Sequence, residues 1–368
     1  MKAIAAVSLL QSLSAGSTAA AGIFVSSAIL LFSLTGLLKW FTHAIPIPVV
    51  KGIQLGAGLS LILAACTRIL STLSWTTPSW SDNYVWVALA FFFLFLLPLR
   101  PQTPYALIVL ILGITTSLTS IPHSDLPSLR PWTPITQVPS GPEWRTGIVS
   151  AGIGQLPLTT LNSIVAVTHL ASDLLPSAPT PSVTAVGLSV AAMNIVGCWF
   201  GAMPVCHGSG GLAAQHRFGA RSGASVIILG LVKLVLGLVF GESLKEVLDR
   251  FPIGLLGVMI VASGLELCGV GESLNTPGAR DLKEGTGAWG GENGDGSDGG
   301  PLSEEERRKR WNIMLVTAGL LIGFRNDAVG FMGGMLCWFC YRVPVWAERG
   351  RGRPQADVAA DERQRLLG

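Results

Sequence analysis

Long apolar runs that alternate with short polar segments dominate the chain. A helix needs about 20 residues to cross a bilayer, and flanking polar residues that snorkel can complete a shorter run. The candidate spans are Ala19 to Trp40, Val49 to Leu70, Tyr84 to Leu99, Tyr105 to Ile121, Val183 to Met203, Ser225 to Phe240 and Phe251 to Val270. This pattern predicts an all-α polytopic membrane protein.

Three stretches break the pattern. Residues 122–147 are rich in proline and serine and predict an external loop, while residues 271–310 are rich in glycine and charge and predict a disordered cytoplasmic loop. Residues 346–368 predict a cytoplasmic tail. The tail ends in a pattern typical of an acidic dileucine sorting signal, formed by Glu362, Leu366 and Leu367.

The composition agrees with a membrane protein. The chain is 49% hydrophobic and 13% charged, against about 25% charged residues in an ordinary soluble domain. With alternating topology, one face collects most of the basic residues, and the positive-inside rule makes that face cytoplasmic. These residues are Lys39, Arg100, Arg217, Arg221, the basic run 307–310 and the tail arginines.

One polar interruption, "PVCHGSGGLAAQHRFGARSG" at residues 204–223, follows an apolar span. Pro204 ends that span, because proline lacks a backbone N–H and disfavours helix just before it. A half-helix that begins near Gly211 would direct free N–H groups and the positive end of its dipole at a ligand, which suits an anion. The alternative is a glycine turn in a surface loop.

A second polar insertion, "GIGQLPLTTLNSIVAV", occupies residues 152–167. In a helix, Gln155, Thr159 and Asn162 lie on neighbouring faces at positions i, i+4 and i+7. This stripe of neutral donors and acceptors predicts either a substrate site or polar contacts between membrane helices. Ala3–Gly16 and Gly211–Ser225 are weakly similar to each other: both are short segments rich in small residues, and each is followed by a span. Such paired interrupted segments favour a transporter site near the middle of the membrane.

Four segments together resemble the molybdate transporter family, a branch related to the sulfate permeases. They are "MKAIAAVSLL", "PIPVVKGIQLGAGLS", "GQLPLTTLNSIVAV" and "PVCHGSGGLAAQHRFGARSGAS", in family order. The resemblance implies a sulfate-permease-like inverted repeat, with a core and a gate and with two half-helices that meet around the anion. Residues 1–121 would be an incomplete first repeat that lacks two helices, and residues 148–345 the second repeat.

The resemblance implies a secondary transporter that moves molybdate by alternating access. Sulfate or another oxyanion is the alternative substrate, and an inactive truncated membrane protein is the alternative outcome. By this resemblance, Gly210 and Gly211 stand at the start of the second half-helix, where sulfate permeases carry a pair similar to Ser-Arg. Asn162 stands where many relatives carry a carboxylate. The expected substrate-binding residues are Lys2, Ala3, Gln155, Thr159, Thr160, Asn162, His207, Ser209, Gly210 and Gly211.

An enzyme that uses Cys206 and His207 as nucleophile and base is the competing class. Adjacent side chains rarely meet in regular structure and no orienting acid is near, so we expect no catalytic activity. We expect no cofactor, no bound metal and no nucleic-acid partner. The expected partners are molybdate and the lipid bilayer, and the sequence leaves open whether the chain forms a homo-oligomer. The expected location is integral and multi-pass, in the plasma membrane or the vacuolar membrane.

Overall fold

The computed structural model describes residues 1, 4–5, 7–8, 11–76, 79–96, 104–122, 127–133, 135–275 and 302–350. Helices account for nearly all regular structure in these ranges, and the one β-type contact there is an isolated bridge between Ser79 and Asp82. The helices are α1 (Ala15–Leu34), α2 (Leu37–Ala44), α3 (Ile47–Ala64), α4 (Tyr84–Leu96), α5 (Tyr105–Ser120), α6 (Gly141–Leu174), α7 (Val183–Gly197), α8 (Ser209–Arg217), α9 (Ala224–Phe240), α10 (Lys245–Asp249), α11 (Ile253–Gly269), α12 (Glu304–Phe324) and α13 (Asp327–Gly350).

The prediction of an all-α polytopic membrane protein is confirmed. Six continuous helical segments of the described chain are long and apolar enough to span a bilayer. They are Ala15–Leu34, Ile47–Thr72, Gly141–Leu174, Val183–Phe200, Ala224–Asp249 and Ile253–Asn275. The outer surface agrees with this, because α4, α5 and α9 expose rows of large apolar side chains and α9 has no buried residue.

Several predicted boundaries differ from the observed ones. Helix α6 begins at Gly141, inside the predicted loop 122–147, because Ser140 and Glu143 form a capping box: the Ser140 N–H donates to Glu143 Oε2 at 2.8 Å. Helix α12 begins at Glu304, inside the predicted disordered segment 271–310, after a similar capping box. Helix α13 extends to Gly350. The sorting residues Glu362, Leu366 and Leu367 lie outside the described residues.

Helix α1 packs between α6 and α7, and glycines set its distance from both. Gly147 of α6 lies against the backbone of Ser17, and Gly187 of α7 lies against the side chain of Ser33. The adjoining core is aliphatic and includes Ile29 and Ile164, both fully buried. These contacts make α1 parallel to α6 and antiparallel to α7.

Helix α3 forms a second packing centre with α11 and α12. A Cβ atom added at Gly58 would lie 2.7 Å from the Gly264 carbonyl oxygen of α11, and one added at Gly52 would lie 2.5 Å from Thr317 Cβ of α12. Backbones can approach this closely only where side chains are absent, as is common between membrane helices. Because Gly257 contacts Leu70 beyond the end of α3, α3 and α11 run in opposite directions.

Candidate functional site

The predicted half-helix is α8, and an extended segment precedes it. After α7 and a single turn at Cys198–Phe200, Gly201 takes a φ of +74°, and residues 202–208, the extended segment, belong to no helix or strand. Gly208 is the residue before the helix, with φ −83° and ψ 130°. Helix α8 therefore begins at Ser209, two residues before the expected start.

The first turn of α8 presents backbone donors. The N–H of Gly211 donates to the Gly208 carbonyl at 3.0 Å, so this expected anion donor already has an acceptor. Within the described part of the chain, the N–H groups of Ser209 and Gly210 have no acceptor. Open first-turn donors and the positive end of a helix dipole favour negative charge.

The N-terminal segment begins beside the same extended segment. Met1 N donates to the carbonyl oxygen of Pro204 at 2.7 Å. Ile4, Ala5, Val7 and Ser8 are helical, and Ser8 Oγ lies 2.9 Å from Thr18 Oγ1 at the start of α1. The expected site residues Lys2 and Ala3 lie outside the described residues.

The two short helical segments point away from each other. The N-terminal segment runs antiparallel to α6, from Gln155 towards the end where α6 begins. Helix α8 runs parallel to the second half of α6, because Ser209 contacts Asn162 and Ala213 packs against Leu170. The starts of the two segments therefore face the middle of α6.

The middle of α6 is irregular. Two π-helical stretches, Ile148–Gly152 and Thr159–Ala166, flank a turn that contains Pro157. Proline removes one intrahelical hydrogen bond and its ring displaces a carbonyl of the preceding turn, and π-helical turns are frequent at functional sites. The polar side chains of this region are buried: Gln155 is 1% exposed and Asn162 is 4% exposed. They therefore face protein rather than lipid.

Helix α6 contacts each short segment through one amide side chain. Gln155 Oε1 accepts a hydrogen bond from the Ile4 N–H at 3.2 Å, and Gln155 Nε2 donates to Thr159 Oγ1 at 2.9 Å. Ser209 Oγ donates to Asn162 Oδ1 at 2.7 Å. The structure thus brings together four of the expected site residues: Gln155, Thr159, Asn162 and Ser209.

Two other expected residues lie apart from this group. The Thr160 hydroxyl donates to the Leu156 carbonyl of its own helix at 2.9 Å. His207 is exposed, and its Nε2 lies 3.0 Å from Ser189 Oγ on α7. The extended segment alternates the directions of its side chains, which turns His207 away from α6 while Cys206 contacts Ser163 at 3.2 Å.

Comparison with known proteins gives a consistent answer. A family model described as a molybdate transporter of the MFS superfamily matches residues 1–61 and 147–267. Molybdate transporter 2 of Arabidopsis thaliana is 38% identical over 319 residues, which cover 75% of this chain and 68% of that protein. The chain belongs to the molybdate transporter family. It is thus an integral, multi-pass membrane protein.

Two further relatives in this family agree. Molybdate transporter 1 of Arabidopsis thaliana is 34% identical over 397 residues, covering 97% of this chain and 78% of that protein. Molybdate transporter 1 of Chlamydomonas reinhardtii is 45% identical over 183 residues, covering 48% and 35%. The family-matched ranges contain the N-terminal segment, α1, α6 from residue 147 onwards and α8, and so every expected substrate-binding residue.

Sequence reasoning missed one polar residue that holds the segment before α8, and it left the role of another unresolved. Asn194 of α7 is 1% exposed; its Oδ1 accepts from the Val205 N–H at 2.7 Å and its Nδ2 donates to the Val205 carbonyl at 2.8 Å. Gln54 of α3 donates through Nε2 to the Ala166 carbonyl of α6 at 2.9 Å. A lone amide in an apolar span was the available signal for Asn194.

Proposed function

We propose that this chain transports molybdate across a membrane and holds the anion between the starts of the two short helical segments. The observation that carries the proposal is the hydrogen bond from Ser209 to Asn162 at the start of α8. It places a hydroxyl, an amide and the open N–H groups of Ser209 and Gly210 at one buried position. The membership of the molybdate transporter family supports the choice of substrate.

The chemistry of these groups suits a tetrahedral oxyanion. The Asn162 amide uses its oxygen towards Ser209, which leaves its Nδ2 amino group to donate to the anion. The Thr159 hydroxyl and the first-turn N–H groups add neutral donors, and the α8 dipole adds about 0.3–2 kcal/mol of attraction for negative charge. Neutral donors bind a dianion without a permanent opposite charge that would hold it too tightly for release.

Discrimination between molybdate and sulfate must come from size, because both are tetrahedral dianions. Donors spaced for the larger anion leave some hydrogen bonds unmade around the smaller one, and an unpaired buried donor costs about 1–3 kcal/mol. We therefore propose that the spacing between Asn162, Ser209 and the first-turn N–H groups sets selectivity for molybdate.

Transport requires that the anion site opens first to one side of the membrane and then to the other. In our proposal, α6 and α8 carry the anion as one unit that moves against the unit of α3 and α11, exposing the site alternately. The contacts between Asn162 and Ser209 support the first unit, and the close approach of Gly58 and Gly264 supports the second.

The experiment that tests this function is uptake of radiolabelled molybdate into proteoliposomes that contain the purified chain. Ser209→Ala removes the hydroxyl that contacts Asn162, and Ser71→Ala removes an exposed hydroxyl that contacts only its own helix turn. We expect saturable uptake that resists excess sulfate, a KM raised about tenfold by Ser209→Ala and no change with Ser71→Ala. Absence of uptake by the unaltered chain, or an equal effect of both variants, would contradict the proposal.

A further inference from the structure

Two charged contacts join the helices that carry the candidate site to the helices around α3. Lys51 Nζ of α3 lies 2.5 Å from Asp173 Oδ2 at the end of α6 and 2.8 Å from Ser273 Oγ. His216 Nδ1 at the end of α8 lies 2.5 Å from Glu266 Oε1 near the end of α11. Both contacts therefore lie at the end of the bundle where α6, α8 and α11 finish.

These contacts differ from the surface ion pairs of the chain. Arg250, the residue after α10, pairs with Glu246 of α10 at 38% and 39% side-chain exposure. His216 and Glu266 are 17% and 18% exposed and come from different helices. Relative motion of α8 and α11 would separate the His216–Glu266 pair, whereas it leaves the Arg250–Glu246 pair intact.

A proton on the His216 imidazole would change the nature of its contact with Glu266. Histidine is the side chain that ordinarily changes charge between pH 5 and 8. A protonated His216 forms a charge-assisted bond to the carboxylate, and it lies in the last turn of α8, where the helix dipole favours a cation. Without the proton, the mostly buried Glu266 carboxylate keeps only a neutral partner, which is costly in a position of low dielectric.

Other charged groups reach the same end of the bundle. Lys51 on α3 and Asp173 on α6 compensate each other. The Arg221 Nη1 donates to the carbonyl oxygen of His216, which leaves the imidazole ring to Glu266. Besides His216, the titratable and charged groups on the elements packed against α8, and on α8 and its following turn, are Lys51, His169, Asp173, Arg217, Arg221, Glu266 and Cys268.

We propose that His216 and Glu266 form a proton-binding site whose occupancy is coupled to anion movement; this inference rests on the proposed transport function. The proton site and the candidate anion site are at opposite ends of α8, a helix of 9 residues and so roughly 13 Å long. The rigid helix α8 carries His216 and the start of the anion site together, while Glu266 stays on α11. One proton moved with a molybdate dianion lowers the transported charge from two negative charges to one.

Proteoliposomes that contain the full chain, an internal pH-sensitive dye and an inward molybdate gradient test the coupling. We expect the unaltered chain to move about one proton with each molybdate. His216→Gln and Glu266→Gln should still let molybdate run down its gradient, with proton movement lost and the pH dependence of uptake flattened. Glu246→Gln, which removes only the exposed pair with Arg250, should leave both fluxes unchanged.

A second variant replaces the imidazole by a side chain that stays positively charged throughout this pH range. His216→Lys retains a cation beside Glu266 at every pH from 5 to 8. As the pH rises from 5 to 8, the melting temperature of the unaltered chain should therefore fall more steeply than that of His216→Lys. Proton movement that persists in His216→Gln, or equal pH slopes of stability in the two proteins, would overturn the proton site. No molybdate uptake by the unaltered chain would overturn the transport function instead, and the stability comparison still decides the proton site.

Discussion

The replacement Asn162→Asp gives the sharpest test of the candidate anion site. The side chain is 4% exposed and accepts the Ser209 hydroxyl at 2.7 Å, and a carboxylate keeps that acceptor with nearly the same shape. The change converts the Nδ2 donor into a negatively charged oxygen. Any effect on anion binding therefore comes from charge rather than from lost packing.

The magnitude has an upper bound set by protonation. A charge of −1 about 5 Å from a dianion, at an effective dielectric constant of about 20, repels it by roughly 7 kcal/mol. Taking up a proton avoids this repulsion, and protonating a carboxyl of ordinary pKa of about 3.9 costs about 4 kcal/mol at pH 7 and about 1.5 kcal/mol at pH 5. At both pH values protonation costs less than the repulsion, so the cost of protonation sets the loss of binding. The KM for molybdate should therefore rise about a thousandfold at pH 7 and about tenfold at pH 5.

The assay is initial uptake of radiolabelled molybdate by proteoliposomes from pH 5 to pH 7, with each KM expressed relative to the unaltered chain at the same pH. Asn312→Asp is the matched control, because Asn312 lies on α12 and donates to the Tyr341 hydroxyl at 3.1 Å. A KM within twofold of the unaltered chain at pH 7, or a defect of equal size at both pH values, would refute the placement of the anion beside Asn162.

Three further changes test the packing around the site. Lys51→Met should lower the free energy of unfolding by about 3–5 kcal/mol because it leaves Asp173 mostly buried without its cation, and adding Asp173→Leu should restore most of it; denaturant titration that shows no recovery would contradict this. Gly58→Val should lower the melting temperature by separating α3 from α11, whereas Gly269→Ala, whose Cβ meets nothing within 4 Å, should not. Asn194→Leu should lower the free energy of unfolding by about 2–4 kcal/mol and abolish molybdate uptake, since the extended segment loses both of its hydrogen bonds to that amide. Unchanged uptake would show that the segment needs no support from α7.

The half-helix was predictable because its signals are local. Proline and glycine act on the backbone within one or two residues, so Pro204 and the following glycines marked the irregular segment before α8. The expectation that Pro204 ends the preceding span was wrong, because α7 ends at Gly197 and Gly201 already takes a φ of +74°. The start of α8 was displaced by two residues, because Gly208 rather than Gly210 takes the position before the helix. The stripe Gln155, Thr159 and Asn162 was likewise readable from spacing.

Because of the same polar stripe, α6 was not among the predicted membrane spans. Gln155, Pro157 and Asn162 dilute the apolar run, so hydropathy alone favoured a polar insertion rather than a helix of 34 residues. In the folded protein Gln155 and Asn162 are buried against the short segments, and burial with satisfied hydrogen bonds removes the cost of a polar group in the membrane.

The sequence by itself determined that the chain crosses a membrane many times, that a half-helix interrupts it, and which neutral donors line α6. Only the tertiary structure decided which helix each polar side chain contacts. Lys51 and Asp173 are 122 residues apart, and His216 and Glu266 are 50 apart, yet each pair meets at the same end of the bundle. Local patterns depend on the geometry of one helix, whereas these pairs depend on how glycines and apolar faces bring several helices together.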